Sequence, residues 1–405
     1  MRKSERPLFI ESFLMALIAI GTMLAVLAFF LYVSHQEEHH RAQASTRNLA
    51  WVLEEHTKAT FQKIDIVLQN ISGHVQMEGL SARYRPGSGM FLDARHELSA
   101  LWLSIPETDA VRITDDQGKV ILSSGDQVPE ISVADRSYFI KAKQGVSGGL
   151  IISEPLISKT TGKSILVLAR RLELPDGRFA GIVYAPIRLD FFLDFYRLLN
   201  LGPHSVVEMN TLDGHHPVLR FSPLAAAQTQ LATPSEKPPV QPFLDRGEMH
   251  GTFNVFSPYD HIARTASFRR VSSFPFYILV GQAEQDYLAS WNGKATILTI
   301  TATLLCLLIG LLSRQAWQMQ QQEHRNAENL KLAQAVAHVG SWNFDLPHNH
   351  LTWSDETFSI FGLPNHSPIT YAAFLDHIHP DDRDRVDNAW QEALKGAPYD
   401  LEHRI

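Results

Sequence analysis

The chain has 405 residues, a formal net charge of −7 and one cysteine. It lacks the basic surplus that binding to a nucleic-acid backbone requires, so nucleic acid is not an expected partner. A single cysteine, Cys306, excludes an internal disulfide framework, and stability must come from packed apolar cores.

Two uninterrupted apolar stretches, Ser12 to Val33 and Ala295 to Leu312, bracket about 260 residues of mixed polar sequence. At ~1.5 Å per residue they make helices of roughly 33 and 27 Å, long enough to cross a hydrocarbon core. Arg2, Lys3 and Arg6 precede the first stretch, whereas Ser34-His-Gln-Glu-Glu38 follow it. Retained loops carry the excess of Lys and Arg, so the amino terminus (1–11) is expected inside. Arg314, Arg325 and Lys331 follow the second stretch and place the carboxyl-terminal part inside again, although Lys294 weakens the contrast. Residues 34–294 then face outward, into a bacterial periplasm. A cleaved signal peptide is the competing reading of the first span, but the apolar run is too long and no small-x-small site follows it before His35.

Beyond the first span, Leu49, Leu53, Phe61, Ile64, Leu68 and Ile71 recur at helical spacing, which predicts a long stalk helix. The period then changes to two. Ala110 to Thr114 and Lys119 to Ser123 flank Asp115-Asp-Gln-Gly118 as a hairpin. Strands are expected over Gly149 to Ile157, Ser164 to Glu173 and Arg178 to Ile187, leading to a helix from Leu189 to Leu201. A second set covers Ser205 to Met209, Val218 to Phe221, Gly251 to Phe256, Arg264 to Val271 and Phe276 to Gly281, interrupted by a proline-rich mobile loop, Pro223 to Phe243. The fold class is α+β.

The ordered strings Asp135-Arg-Ser-Tyr-Phe139, Ile152-Ser-Glu-Pro-Leu156, Leu166-Val-Leu-Ala-Arg-Arg171 and Gly181-Ile-Val-Tyr-Ala185 resemble the landmarks of double Cache (tandem PDC-like) extracytoplasmic sensors. Val271 to Gly281 and the helix to Trp291 resemble their membrane-proximal half. The resemblance covers roughly 34–290, and it implies a membrane-distal unit (34–200) and a membrane-proximal unit (201–290). It further implies that Arg136, Tyr138 and Phe139 contact an amino or carboxylic acid, with Arg170 and Tyr184 from later strands. Chemically, a guanidinium can grip a carboxylate bidentately while aromatic walls pack the ligand body. The bland reading is that Arg136 pairs with a nearby acid and the aromatics are core.

After the second span (295–312), residues 313–332 are rich in helix formers. A weak heptad seam through Leu312, Met319, Asn326 and Ala333 reads as a signalling helix that dimerises with its neighbours' help, or as a solvated single helix. Gly340-Ser-Trp-Asn-Phe-Asp-Leu346, Leu351-Thr-Trp-Ser-Asp355, Ile360-Phe-Gly-Leu363 and His377-Ile-His-Pro-Asp-Asp-Arg383 resemble a PAS domain of the third PAS-fold subfamily (333–405). The sequence ends where that family enters its later strands, so the PAS sheet is expected to be incomplete.

Other strings read as structure. Gly145-Val-Ser-Gly-Gly149 lacks the apolar strand that a nucleophile elbow needs, and Gly162-Lys-Ser164 lacks the first glycine of a phosphate loop. His35 with His39 and His215 with His216 read as solvated faces, and His377 with His379 as a helix start, so no metal is expected. Trp342, Phe344, Phe358, Phe361 and Phe374 read as packed core without a cofactor.

The expectation is therefore an inner-membrane receptor, a homodimer in the bilayer, that senses a small external ligand. By resemblance its missing output domain is a histidine kinase or a cyclic-di-GMP enzyme. The rival reading is a membrane-tethered interaction scaffold.

Overall fold

The computed structural model describes residues 8–76, 89–125, 127–145, 149–213, 217–224 and 238–405. The centre of the Gly145–Gly149 string, the His215-His216 pair and most of the proline-rich loop lie outside them. The chain divides into two compact units, Val26–Thr299 and a second made of Met1–Ala25 with Ile300–Ile405.

Helix α1 (Leu8–Gln76) is a single helix of 69 residues, about 100 Å long. Its first part has the length and apolarity to cross a membrane, and the side chains there, such as Leu17, Phe29 and Phe30, are exposed. Farther along, Ala50, Leu53, Phe61, Ile64 and Leu68 are fully buried. Their three- and four-residue spacing makes one apolar stripe. That stripe faces two antiparallel sheets.

The first sheet has the order β2-β1-β6-β5-β3, with β4 also on β5. It comprises β1 (Arg112–Thr114), β2 (Val120–Ser123), β3 (Ile151–Ile152), β4 (Leu156–Ile157), β5 (Ser164–Glu173) and β6 (Phe179–Arg188). The single strand expected over 149–157 is broken into β3 and β4. Pro155 lacks an N–H for the ladder, and at the break the Ser153 Oγ accepts from Val167 N at 2.9 Å. Helix α2 (Gly89–Trp102) precedes β1, α3 (Ser137–Lys143) lies between β2 and β3, and α4 (Leu189–Arg197) follows β6. The sequence reading gave no helix at α2.

The second sheet, β8-β7-β11-β10-β9, contains β7 (Val206–Thr211), β8 (Pro217–Phe221), β9 (His250–Phe256), β10 (Ala263–Arg270) and β11 (Phe276–Ala283). A short helix, α5 (Gln241–Asp245), occupies the end of the expected loop.

One core joins both sheets to α1. Leu166, Leu168 and Val183 of the first sheet and Val207, Met209 and Ile278 of the second belong to the same apolar cluster as Leu53, Phe61 and Ile64. Phe61 meets Phe192, Phe274 and Phe276 edge-on at 5.2–6.2 Å between ring centroids. Each such side chain contributes roughly 1.5–3 kcal/mol by leaving water. Polar contacts pin α1 along β10: Thr46 hydroxyl to Ser267 hydroxyl at 2.8 Å, and buried Glu54 to Arg269 at 2.7 Å. Near the membrane-facing end, Trp291 Nε1 donates to Ser34 Oγ at 2.7 Å, and the His39 ring meets the Tyr287 hydroxyl at 2.8 Å.

Helix α6 (Glu284–Tyr287) leads into α7 (Ala289–Ala337), a 49-residue helix that contains the second membrane-length apolar stretch. In the second unit, Met319 and Leu330 of α7 are exposed. Hairpin β12 (Trp342–Asp345) and β13 (His350–Trp353) then packs on α8 (Asp355–Ile360) and α9 (Tyr371–Asp376) through Leu351, Trp353, Phe358 and Phe374, and on α10 (Pro380–Ala393) through Trp390 against Trp342 and Phe344. Ser354 caps α8 by accepting from Thr357 N at 3.3 Å, and α10 opens on Pro380 with His379 at its N-cap.

Candidate functional site

The first sheet has two faces that do different work. Along β5, Leu166, Leu168 and Leu172 point to α1, while Ile165, Val167 and Ala169 point away. Along β6, Val183, Ala185 and Ile187 join the α1 core, while Ile182 and Tyr184 lie on the outer face. Alternation follows from the pleat. On that outer face, α3 and the β4–β5 hairpin form a wall, and a small cavity lies between them.

Arg136 stands at the N-cap of α3 and lines the cavity with Tyr138. Its Nη2 donates to the Ile157 carbonyl at 3.1 Å, so it holds the hairpin rather than an acid. The Tyr138 and Tyr184 rings are 5.8 Å apart. Tyr184 pairs across the strands with Arg112 on one side and Ala169 on the other. Directly opposed residues share a face, so Arg112 enters the same cavity. Arg112 is buried, with its Nη2 3.4 Å from Thr160 Oγ1.

Two polar atoms here are left over. The Arg112 Nε and the Tyr184 hydroxyl are buried without a well-formed hydrogen bond, although the two side chains lie close enough for Arg112 to act on the phenol through a hydrogen bond. An unmet buried donor costs roughly 1–3 kcal/mol, so such groups call for an occupant. Burial pushes the Tyr184 phenol upward, although Arg112 draws it down; the Tyr138 phenol is also raised, chiefly by burial. Both stay protonated at ordinary pH and can donate.

The hairpin over the cavity is tied down at Lys159, whose Nζ donates to Asp135 Oδ1 at 2.6 Å and to the Ser132 carbonyl at 2.8 Å. The Lys159 hydrogen bond holds the Asp135 carboxyl below the usual carboxylate range. In this closed arrangement the cavity measures about 20 Å³, room for roughly one water. A larger occupant requires the hairpin to move.

Of the five residues singled out from sequence, Arg136, Tyr138 and Tyr184 meet at this cavity. Arg170 does not. Its Nε and Nη2 donate to the two Asp65 oxygens at 2.6 and 2.9 Å, on the α1 side of the sheet. The pleat decides this: Arg170 pairs with Val183 and Ala169 with Tyr184, so Arg170 and Tyr184 face opposite ways. Phe139 is also away from the cavity, buried in the core beneath α3 with its ring 5.5 Å from Phe179. Arg112 and Lys159 were missed. A signal for Arg112 was present, since it is a lone charge inside the apolar run Ala110-Val-Arg-Ile-Thr114.

The second unit holds a larger cavity of about 270 Å³, lined by aromatic side chains that include Trp342, Trp353, Phe361, Phe374 and Trp390. Trp342, Phe361 and Phe374 thus border open space, whereas Phe344 and Phe358 pack in the core as expected.

Residues 189–281 match the dCache_1-like family model, a histidine kinase sensor domain, and residues 350–405 match the PAS_3 model, a PAS fold. The chain thus joins a dCache_1-like sensor domain to a PAS domain. It is 35% identical over 68 residues to the sensor protein FixL of Bradyrhizobium diazoefficiens, a match covering 16% of this chain and 14% of FixL. It is 25% identical over 79 residues to DgcE of Escherichia coli, described as a diguanylate cyclase, covering 19% of this chain and 7% of DgcE. The chain therefore spans under a fifth of the length of either relative. Among solved structures, the extracellular domain of rpHK1S-Z16, described as a histidine kinase, superposes with a TM-score of 0.52 and 29% identity, covering 62% of this chain and 98% of that one.

Proposed function

We propose that residues 34–290 form a periplasmic receptor that binds a small carboxylate or amino acid between Arg136, Tyr138 and Tyr184, and that the chain passes the event through its second span to the PAS domain. The single observation that carries this reading is the cavity itself, where a guanidinium and a phenol hydroxyl are buried with unmet donors. A ligand carboxylate would take Arg136 away from the Ile157 carbonyl and release the hairpin from its closed position. Binding shifts the equilibrium only by its different affinity for the two positions of the hairpin.

A route toward the membrane is built into the same unit. Strand β6 runs directly into α4, and the loop after α4 is fastened to α6: Asp286 accepts from the His204 N–H at 2.8 Å and meets its Nδ1 at 2.7 Å. Arg264 donates to the His204 carbonyl at 2.6 and 2.9 Å, tying β10 into the same joint. A displacement of α4 would thus reach α6 and the start of α7. The cytoplasmic end would work as a dimer in the inner membrane, with a histidine kinase or a cyclic-di-GMP enzyme as its output. Both classes occur among the names of its relatives.

The reading is tested on the full chain in lipid nanodiscs by thermal shift against a panel of carboxylates and amino acids. Stabilisation by a panel member, abolished by Arg136→Ala, is expected. Stabilisation by none, with the variant melting as the parent does, would favour a scaffold instead.

A further inference from the structure

We infer that the occupant of this cavity carries two acidic groups, and is a short dicarboxylate rather than an amino acid or a monocarboxylate. The inference rests on the proposed ligand role of Arg136 and adds a second anchor to it. Two guanidiniums, Arg112 and Arg136, line the cavity. Neither forms an ion pair among the described residues.

The other charges around them offset that surplus only in part, Asp109 acting on Arg112 and Asp135 on Arg136 from outside the lining. Lys159 is the remaining cation of the lining, and Asp135 answers it at 2.6 Å. No carboxylate lines the cavity among the described residues. Asp109, just before β1, stays outside the lining: it reaches Arg188 at 3.9 Å, and its charge also acts on Arg112, offsetting part of that guanidinium's charge without entering the cavity. An ammonium group entering the cavity would therefore meet two guanidiniums and a lysine along its walls, with no carboxylate among the lining residues to receive it. Like charges at close range are costly where water is excluded.

The two guanidiniums also come from different directions. Arg112 rises from the sheet, fixed by its pairing with Tyr184, whereas Arg136 enters from the start of α3. Arg112 is buried with Nε unmet, and Arg136 is half-buried and spends one donor on a carbonyl. One carboxylate at Arg112 with the Tyr184 hydroxyl, and a second at Arg136, would satisfy these donors together. A single carboxylate would satisfy one site and leave the other guanidinium exposed to the same desolvation.

The test is calorimetric titration of the full chain in nanodiscs with succinate, acetate and L-alanine. Succinate is expected to bind at least ~10-fold tighter than either of the others, the effect of one added charge-assisted contact. Arg112→Gln should remove most of that preference, and Arg112→Lys, which keeps the charge, should restore part of it. L-alanine or acetate binding as tightly as succinate would overturn the dicarboxylate assignment while leaving Arg136 in its role. Binding of none of the three, with no heat from the wider carboxylate panel, would sink both. The ranking in the parent protein needs no variant to fold.

Discussion

Arg170 and Arg136 show how little a residue's type says about its task. Both are arginines in landmark strings, yet one is engaged by Asp65 against the stalk helix and the other faces a cavity. Arg170→Ala should cost about 1–3 kcal/mol by leaving the part-buried Asp65 without its bidentate partner. Ligand affinity should stay as in the parent protein; chemical denaturation and calorimetry on the same preparation separate the two effects. Tyr184→Phe should do the reverse. Its hydroxyl makes no well-formed hydrogen bond and meets only Arg112, so unfolding should be little changed while affinity falls about 3- to 10-fold, the worth of one hydrogen bond. The sequence marked both aromatic residues beside Arg136 as ligand contacts, with core packing as the alternative. Which of them lines the cavity was not legible, because on the short helix α3 Tyr138 and Phe139 turn to different neighbours.

At the scale of elements, the contact between α1 and α4 should respond to pH. His56 of α1 stacks on Phe195 with ring centroids 4.2 Å apart, and burial lowers its pKa, with Glu107 opposing and Lys63 reinforcing. The unfolded chain therefore takes up a proton near pH 6.5 that the folded chain refuses. This contribution to stability is complete above that pH and shrinks as pH falls below it. Urea melts between pH 7 and 5 should show the decline, and His56→Phe, which keeps the stack, should flatten it. The junction of β1 and β6 is equally specific. Gly181 has φ +135°, and a Cβ there would collide with the Thr114 carbonyl oxygen. Gly181→Ala should destabilise the sensor by roughly 2–4 kcal/mol through strain and loss of that junction, visible as a lowered Tm. The alternating strands β5 and β6 were readable within a residue or two from their pattern. Helix α2 was not, since Gly89 to Trp102 has no clean stripe, and the break between β3 and β4 depends on a proline acting against a neighbouring strand.

For the whole molecule, the testable claim is that the sensor and the PAS domain lie on opposite sides of a bilayer. Alkaline phosphatase fused after Thr161, in the β4–β5 turn, should be active, and the same reporter fused after Ile405 should be silent. Activity at both sites would place both parts outside and remove the signalling route through α7.

The sequence alone determined the parts that depend on local pattern. Two apolar runs are long enough to cross a membrane because length and hydrophobicity suffice for that, and the stalk and strands follow from periods of 3.6 and 2. The family landmarks lay in the same order along the chain, so the coupling of a Cache-like sensor to a PAS domain was also legible. Tertiary structure decided what those landmarks do. Cross-strand register put Arg112 beside Tyr184 and turned Arg170 to the other face, and the packing of α3 on the sheet brought Arg136 over them. A pleated strand has two faces, and which of them meets α1 is fixed only when the whole core assembles.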